Sequence, residues 1–194
     1  MRKKEIMEFF DSRAAEWDKE MVKSDEIINR ILDNVGVHVG DRVLDVACGT
    51  GVLIPYYLER QAASVTAVDI STEMIKRAEA KFPQQTVRFF CGDAETMQFD
   101  QMFDCIVIYN AFPHFPNPEG LIRRLSAFLK QGGRLTVAHG MSRAEIDRRH
   151  RESASRVSVG LMHEDALAEV FKRNLQLTTK ISDDRMYQIT GIKL

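Results

Sequence analysis

The stretch Val43-Leu44-Asp45-Val46-Ala47-Cys48-Gly49-Thr50-Gly51 decides how the rest of the chain is read. Its first part is an apolar run with β-branched residues, the composition of a buried strand; its last part is a small turn with two glycines one residue apart. One acid, Asp45, stands in the strand. Behind the turn, GVLIPYYLERQ reads as a helix. Glycine in such a turn lets the backbone bend sharply and approach a ligand with no side chain between them, while the first amides of the following helix point outward.

The same alternation continues outward. SVTAVDI (64–70), TVRFFCG (86–92), FDCIVIYN (103–110) and GGRLTVAHG (132–140) read as strands. Between them lie helices in STEMIKRAEAKF, capped by Ser71 or Thr72, and in NPEGLIRRLSAFLK. Strands alternating with helices imply an α/β fold with a doubly wound, mostly parallel sheet covered on both faces. HEDALAEVFKRN predicts a last helix, and LQLTTKIS and RMYQITGIK predict two alternating strands that form a terminal antiparallel hairpin at the sheet edge, which makes seven strands. Ahead of the first strand, Ile6, Phe9, Phe10, Ala14 and Trp17 recur at helical spacing, and Ile27, Ile28, Ile31, Leu32 and Val35 do so again after Ser24-Asp25. The 194 residues therefore read as one domain: a helical cap over 1–40, a ligand-binding core over 41–139, a substrate lid over 140–162 that can begin a helix at Ser142, and the last helix and strands over 163–194.

A formal net charge of −1 gives no basic excess for gripping a phosphate backbone, so no nucleic-acid partner is expected. Arg143, Arg148, Arg149, Arg151 and Arg156 do gather in the lid, either as a solvated helix face or to meet an anionic substrate group. Cys48, Cys91 and Cys105 are odd in number and far apart, a pattern that suits thiols in a reducing cytoplasm. No apolar run approaches the roughly 18 residues that a membrane span needs.

In a doubly wound sheet, ligands bind beyond the carboxyl ends of the strands, beside the first one. A dinucleotide fingerprint would place a small residue at position 54, where the chain has Ile54, and this argues against a nicotinamide-dependent oxidoreductase. Asp45 would repel a diphosphate and stabilise an ammonium group. Asp69 ends the second strand near the spacing at which a carboxylate takes both ribose hydroxyls. Asp93 follows the third strand and can accept from an adenine amino group. Three acids on one rim describe a ligand with an adenosine, an ammonium group and no phosphate, which fits S-adenosylmethionine.

On these residues the chain resembles the class I S-adenosylmethionine-dependent methyltransferases along nearly its whole length. VLDVACGTG is similar to the family's glycine-rich first motif, AVDIS supplies the ribose acid and GDAE the adenine acid. His114, Phe115, Asn117 and Pro118 reproduce a pattern common after the fourth strand, and FFDSRAAEWD resembles the lead-in of the small-molecule subset related to ubiquinone and menaquinone biosynthesis methyltransferases. The resemblance implies a Rossmann-like methyltransferase fold and a cofactor site of Asp45, Ala47, Gly49, Gly51, Asp69, Ile70, Met74, Asp93, Ala94 and Asn110. It also implies that the lead-in helices bring Phe10, Trp17 and Asp18 near the transferred methyl group. The family's amino-methylating branch often carries Asn/Asp-Pro-Pro-aromatic after the fourth strand, and Asn110-Ala-Phe-Pro113 departs from it.

Methyl transfer from a sulfonium needs alignment and a dry site, with a base only where the acceptor has a proton to lose. His114 and His139, at the ends of the fourth and fifth strands, are the expected catalytic residues; Trp17, Phe10, His114, Arg143 and His150 are expected around a small-molecule acceptor. Two further readings stand beside this one. The three histidines could converge on a metal ion that orients the acceptor, although their spacing matches no ligand motif. Alternatively, the chain could hold S-adenosylmethionine or its product without turnover.

Overall fold

The computed structural model describes residues 3–194. Its centre is a seven-stranded sheet of order β3-β2-β1-β4-β5-β7-β6. β1 (Arg42–Val46), β2 (Ser64–Asp69), β3 (Val87–Cys91), β4 (Phe103–Tyr109) and β5 (Leu129–His139) run parallel. Val43, Leu44, Val46, Val65, Val68, Ile106, Val107 and Ile108 are all buried, on both faces of the sheet, which is why these segments read as unbroken apolar runs rather than alternating ones. α3 (Asp25–Val35), α4 (Ile54–Glu59) and α5 (Thr72–Lys81) belong to the first half of the chain; α6 (Pro118–Ala127) and α8 (Glu164–Lys172) belong to the second. One core packs Ile28, Ile31, Leu53 and Tyr57 against β1, β2 and β4, and the other packs Leu121, Leu125, Leu167 and Phe171 against the opposite face.

Helix limits follow local chemistry. The hydroxyls of Ser24 and Ser71 accept from the amides of Ile27 and Met74 at the starts of α3 and α5, and Asn117 does the same from Gly120 ahead of Pro118 in α6. Gly36 closes α3 in the left-handed conformation at φ 72°.

Two expectations need correction. The first amphipathic run does not reach Trp17 as one helix: α1 (Lys3–Arg13) stops, and α2 (Trp17–Glu20) begins anew. β7 (Tyr187–Ile192) is also not an alternating edge strand. It lies between β5 and β6 (Gln176–Ser182), antiparallel to both, and is buried along nearly its whole length, so only β6 alternates and stands at the edge.

The segment 140–162 begins with α7 (Arg143–Arg149), capped by the Ser142 hydroxyl as the sequence suggested. It widens into a π-helical turn at His150–Ala154 and ends in a 3-10 turn at Ser155–Val157. Ala154 and Val157 pack on Ile6 with Phe9, Phe10 and Ile70 beside them, joining the lid to α1 above the strand ends.

Candidate active site

β1, β2, β3 and β4 end at one cleft of about 980 Å³, its mouth included. The turn after β1 forms its floor. Ala47 (φ 57°) and Gly49 (φ 55°) are left-handed there, and a Cβ built on Gly49 would project across the cleft to within 3.7 Å of the Trp17 indole nitrogen. Asn110, at the end of β4, is left-handed as well (φ 54°), and its side-chain oxygen accepts from the Gly140 amide at 3.0 Å. Non-glycine residues rarely hold this conformation, and where they do they cluster at ligand sites.

Asp69 is buried at the back of the cleft. One carboxylate oxygen accepts from the Gly49 amide and the other from the Ser71 amide, both at 2.8 Å. Each oxygen keeps a lone pair, so the carboxylate fits a vicinal diol. Burial raises its pKa to about 6 against the pull of those two amides. Asp45 is pushed further, to about 8, by burial and then by the neighbouring Asp69 charge. Among the described residues, its Oδ2 and the hydroxyl of Tyr57 are both buried without a partner.

The N-terminal segment straps over this floor. Lys3 ion-pairs with Asp93 and, at 3.2 Å, with Glu95. Asp11 accepts from the Ser71 hydroxyl at 2.6 Å and the Glu73 amide at 3.1 Å. Asp18 accepts from the Thr50 hydroxyl and pairs with Lys81 at 2.9 Å. The Phe10 ring stands edge-on to Trp17 and to His114, with centroids 5.6 and 5.0 Å apart.

Phe10, Trp17, Met21, Asn110 and His114 also line a second chamber, to which the segment 140–162 contributes Met141, Ile146, Arg148, Arg149 and His150. His114 Nδ1 lies 2.6 Å from the Val157 carbonyl. A carbonyl only accepts, so Nδ1 carries the hydrogen and Nε2 keeps a lone pair. Desolvation lowers the His114 pKa to about 4, and that of the fully buried His139 to about 3. His139 lines the chamber, and its Nε2 has no partner among the described residues. Both imidazoles are neutral at pH 7.

The cleft and the chamber between them are lined by Ala47, Gly49, Asp69, Ile70, Met74, Asp93, Ala94, Asn110, Phe10, Trp17, His114, His139 and His150. Four expected residues stand elsewhere. Asp45 is buried and lines neither cavity, and its charge acts on Tyr57 and Cys48. Gly51 packs inward, where an added Cβ would meet the Phe82 ring at 2.8 Å. Arg143 faces Asp147 and Glu164, each at 3.7 Å, and reaches neither cavity. Arg148 and Arg149 do line the chamber but are held by Glu145 and Glu152, so they are not free cations. Asp18 turns to Thr50 and Lys81 rather than to the shared wall. Among the described residues, no three histidine, cysteine or acidic groups are placed to hold one metal ion, because the imidazoles are committed to separate partners or sides of the chamber.

Sequence reasoning missed Lys3, Thr50, Met21 and the Val157 carbonyl. Thr50 stands inside the glycine-rich motif and gave no signal of its own there; Lys3, Met21 and Val157 belong to no motif and are brought in by the segments packed over the strand ends.

Residues 43–133 match a family profile described as a methyltransferase domain. The chain is 32% identical over 139 residues to a malonyl-[acyl-carrier protein] O-methyltransferase of Acetivibrio thermocellus, covering 70% of this chain and 49% of that one. It is 33% identical over 146 residues to a ubiquinone/menaquinone biosynthesis C-methyltransferase of Pseudomonas paraeruginosa, covering 69% and 57%. The chain thus spans about half the length of the curated relatives it matches. Among solved structures, a Haloferax volcanii methyltransferase in complex with the Trm112 methyltransferase activator superposes with a TM-score of 0.82 at 19% identity, covering 97% of both chains.

Proposed function

The chain belongs to the S-adenosylmethionine-dependent methyltransferase family, and from that premise we propose that it transfers a methyl group from S-adenosylmethionine to a small-molecule acceptor. The observation that carries this reading is the pair of adjoining cavities with one shared wall. A cleft floored by Asp69 and the glycine turn suits the cofactor, and a chamber that holds the His114 and His139 imidazoles beside aromatic rings suits the acceptor. The cofactor, when bound, supplies an electrophilic methyl group on a sulfonium.

The protein's own residues bind, orient and dry the site. Asp69 takes the ribose hydroxyls, and Asp93 takes the adenine amino group once Lys3 yields it. Gly49 and Ala47 leave room for the amino-acid end, whose ammonium group lies in the field of the Asp45 and Asp69 acids. Ile70, Met74 and Ala94 hold the adenosine between apolar surfaces. Phe10 and Trp17 exclude water where the two cavities meet, and an aligned, desolvated pair of reactants accounts for most of the acceleration such a displacement needs. His114, with Nδ1–H held by the lid, presents Nε2 as the base for an acceptor that loses a proton. His139 offers its free Nε2 to orient the acceptor.

In this reading residues 1–40 act as cap, 41–139 as cofactor core and 140–162 as lid, with 163–194 completing the sheet of one domain. The balanced charge and the paired lid arginines support a small acceptor over nucleic acid. The free thiols Cys48, Cys91 and Cys105 support a reducing, cytoplasmic setting. Among the described residues no helix is long and apolar enough to cross a membrane.

The test is transfer of radiolabelled methyl from S-adenosylmethionine into an extract separated into small molecules, lipids and macromolecules. Label in the small-molecule or lipid fraction is the expected result. Label in macromolecules alone would overturn the acceptor class. Tight S-adenosylhomocysteine binding with no label anywhere would leave a binding protein.

A further inference from the structure

His150 has a position that the proposed reaction has not yet used. It lines the acceptor chamber on one side and, on the other, an outer groove of about 1050 Å³ shared with Ser158. Resting on the methyltransferase reading, we propose that His150 relays the acceptor's proton out of the chamber, from His114 to Ser158 and the water of the groove.

The His114 and His150 rings are neighbours, 5.0 Å apart between centroids and tilted by 37°, and a water between them completes the path. His150 Nδ1 is 2.7 Å from the Ser158 hydroxyl oxygen, which also accepts from the Gly160 amide at 3.1 Å. With Nδ1–H and the Gly160 amide both donating, the lone pairs of Ser158 are taken and its own hydrogen is free to face the groove. His150 opens the π-helical turn after α7, a local widening that recurs at functional sites.

A relay is needed because His114 cannot keep what it takes. It is only partly exposed, its Nδ1–H is fixed on Val157, and an imidazolium there is disfavoured. In the reaction the acceptor's X–H bond breaks, X gains the methyl carbon, and the departing sulfur keeps the pair of its former S–C bond. The proton passes to His114 Nε2 and then, through a bridging water, to His150 Nε2. His150 Nδ1–H moves to the Ser158 oxygen as the Ser158 hydrogen leaves for water. One proton is released for each methyl transferred; His114 and Ser158 return to their starting forms, and His150, left with hydrogen on Nε2, regains Nδ1–H by proton exchange with water.

Two measurements decide the proposal. The first is the ring tautomer of His150 by nitrogen-15 NMR in the S-adenosylhomocysteine complex. The relay requires hydrogen on Nδ1 and a bare Nε2; hydrogen on Nε2 would overturn it, whether or not an acceptor has been found. The second uses the extract fraction that wild type labels. His150→Ala is expected to lower the maximal transfer rate about 10-fold or more, at the low end of a proton-transfer contribution, with the KM for S-adenosylmethionine unchanged. Added imidazole, admitted by the open groove, is expected to restore the rate, and Ser158→Ala to give a smaller loss. An unchanged rate in His150→Ala would overturn the relay. So would a loss that imidazole does not restore while S-adenosylhomocysteine binding is intact. A wild-type protein that labels no fraction would refute the methyltransferase reading and the relay with it, whereas labelling by wild type with an unchanged rate in His150→Ala would overturn the relay alone.

Discussion

The acid side of the site and the histidine side are perturbed by the same force with opposite electrical results. Beneath the cofactor cleft, burial lifts Asp45 to about 8 and Asp69 to about 6, toward the uncharged acid. Around the acceptor chamber it depresses His114 to about 4 and His139 to about 3, toward the uncharged imidazole. Desolvation penalises charge of either sign, so each region waits in the form that costs least. The difference lies in what would relieve it. A ligand carrying sulfonium and ammonium charge restores ionised acids, whereas the histidines are already in the neutral form that a proton acceptor needs.

The largest effect expected from breaking this contrast is at Asp69. Asp69→Ala should weaken S-adenosylhomocysteine binding by about 2 kcal/mol or more, the scale of hydrogen bonds to a charged group, when measured by calorimetry. Unchanged affinity would remove Asp69 from the cofactor site.

The two regions should also bend the stability curve at opposite ends. For Asp45 the folded pKa lies above the unfolded carboxylate value, so its favourable contribution is complete below about pH 4 and is lost as pH rises toward about 8. Asp45→Asn, which cannot ionise, should flatten that decline in the ligand-free protein and raise the melting temperature at pH 8 by about 2–4 °C for each kcal/mol recovered. A parallel decline in wild type and variant would mean that Asp45 is not the buried titrating group. His139 works the other way. Its folded pKa lies below the unfolded value, so its contribution is complete above about pH 6.5 and is lost as pH falls toward about 3. His139→Leu also removes an unpartnered buried nitrogen. It should leave stability at pH 7 equal or slightly higher and shift the acid unfolding midpoint down, as followed by circular dichroism.

The smallest effect expected is at Lys3, half-exposed and paired with Asp93 and Glu95. Such pairs are worth about 0–1 kcal/mol. Lys3→Ala should barely change the melting temperature and should tighten S-adenosylhomocysteine slightly by freeing Asp93. A weaker complex would mean that Lys3 itself holds the cofactor.

Most of the sheet and of the cleft at its edge was legible in the sequence alone. The apolar runs of β1, β2 and β4, the glycine turn and the acids at strand ends are local features, fixed by backbone geometry and by burial on both sheet faces. The second chamber was legible only as a list of residue types. His114, His139 and His150 could be named, but Arg143 could not be told from a free cation, because Asp147 and Glu164 reach it only once α7 and α8 are packed. That β7 lies inside the sheet was equally hidden, since an alternating pattern does not say which neighbours a strand will find.

The sequence alone determined the α/β order of elements, the sharp turn at Gly49 and the presence of Asp69 and Asp93 at a common rim, because each depends on a few consecutive residues. Only the tertiary structure decided that Asp45 is buried away from both cavities, that Lys3 crosses to Asp93, and that the Val157 carbonyl sets which nitrogen of His114 carries hydrogen. The Lys3 and Val157 contacts join groups far apart along the chain, and the lie of Asp45 depends on the sheet around it. All three come into being only when the strap, the lid and the sheet are packed together.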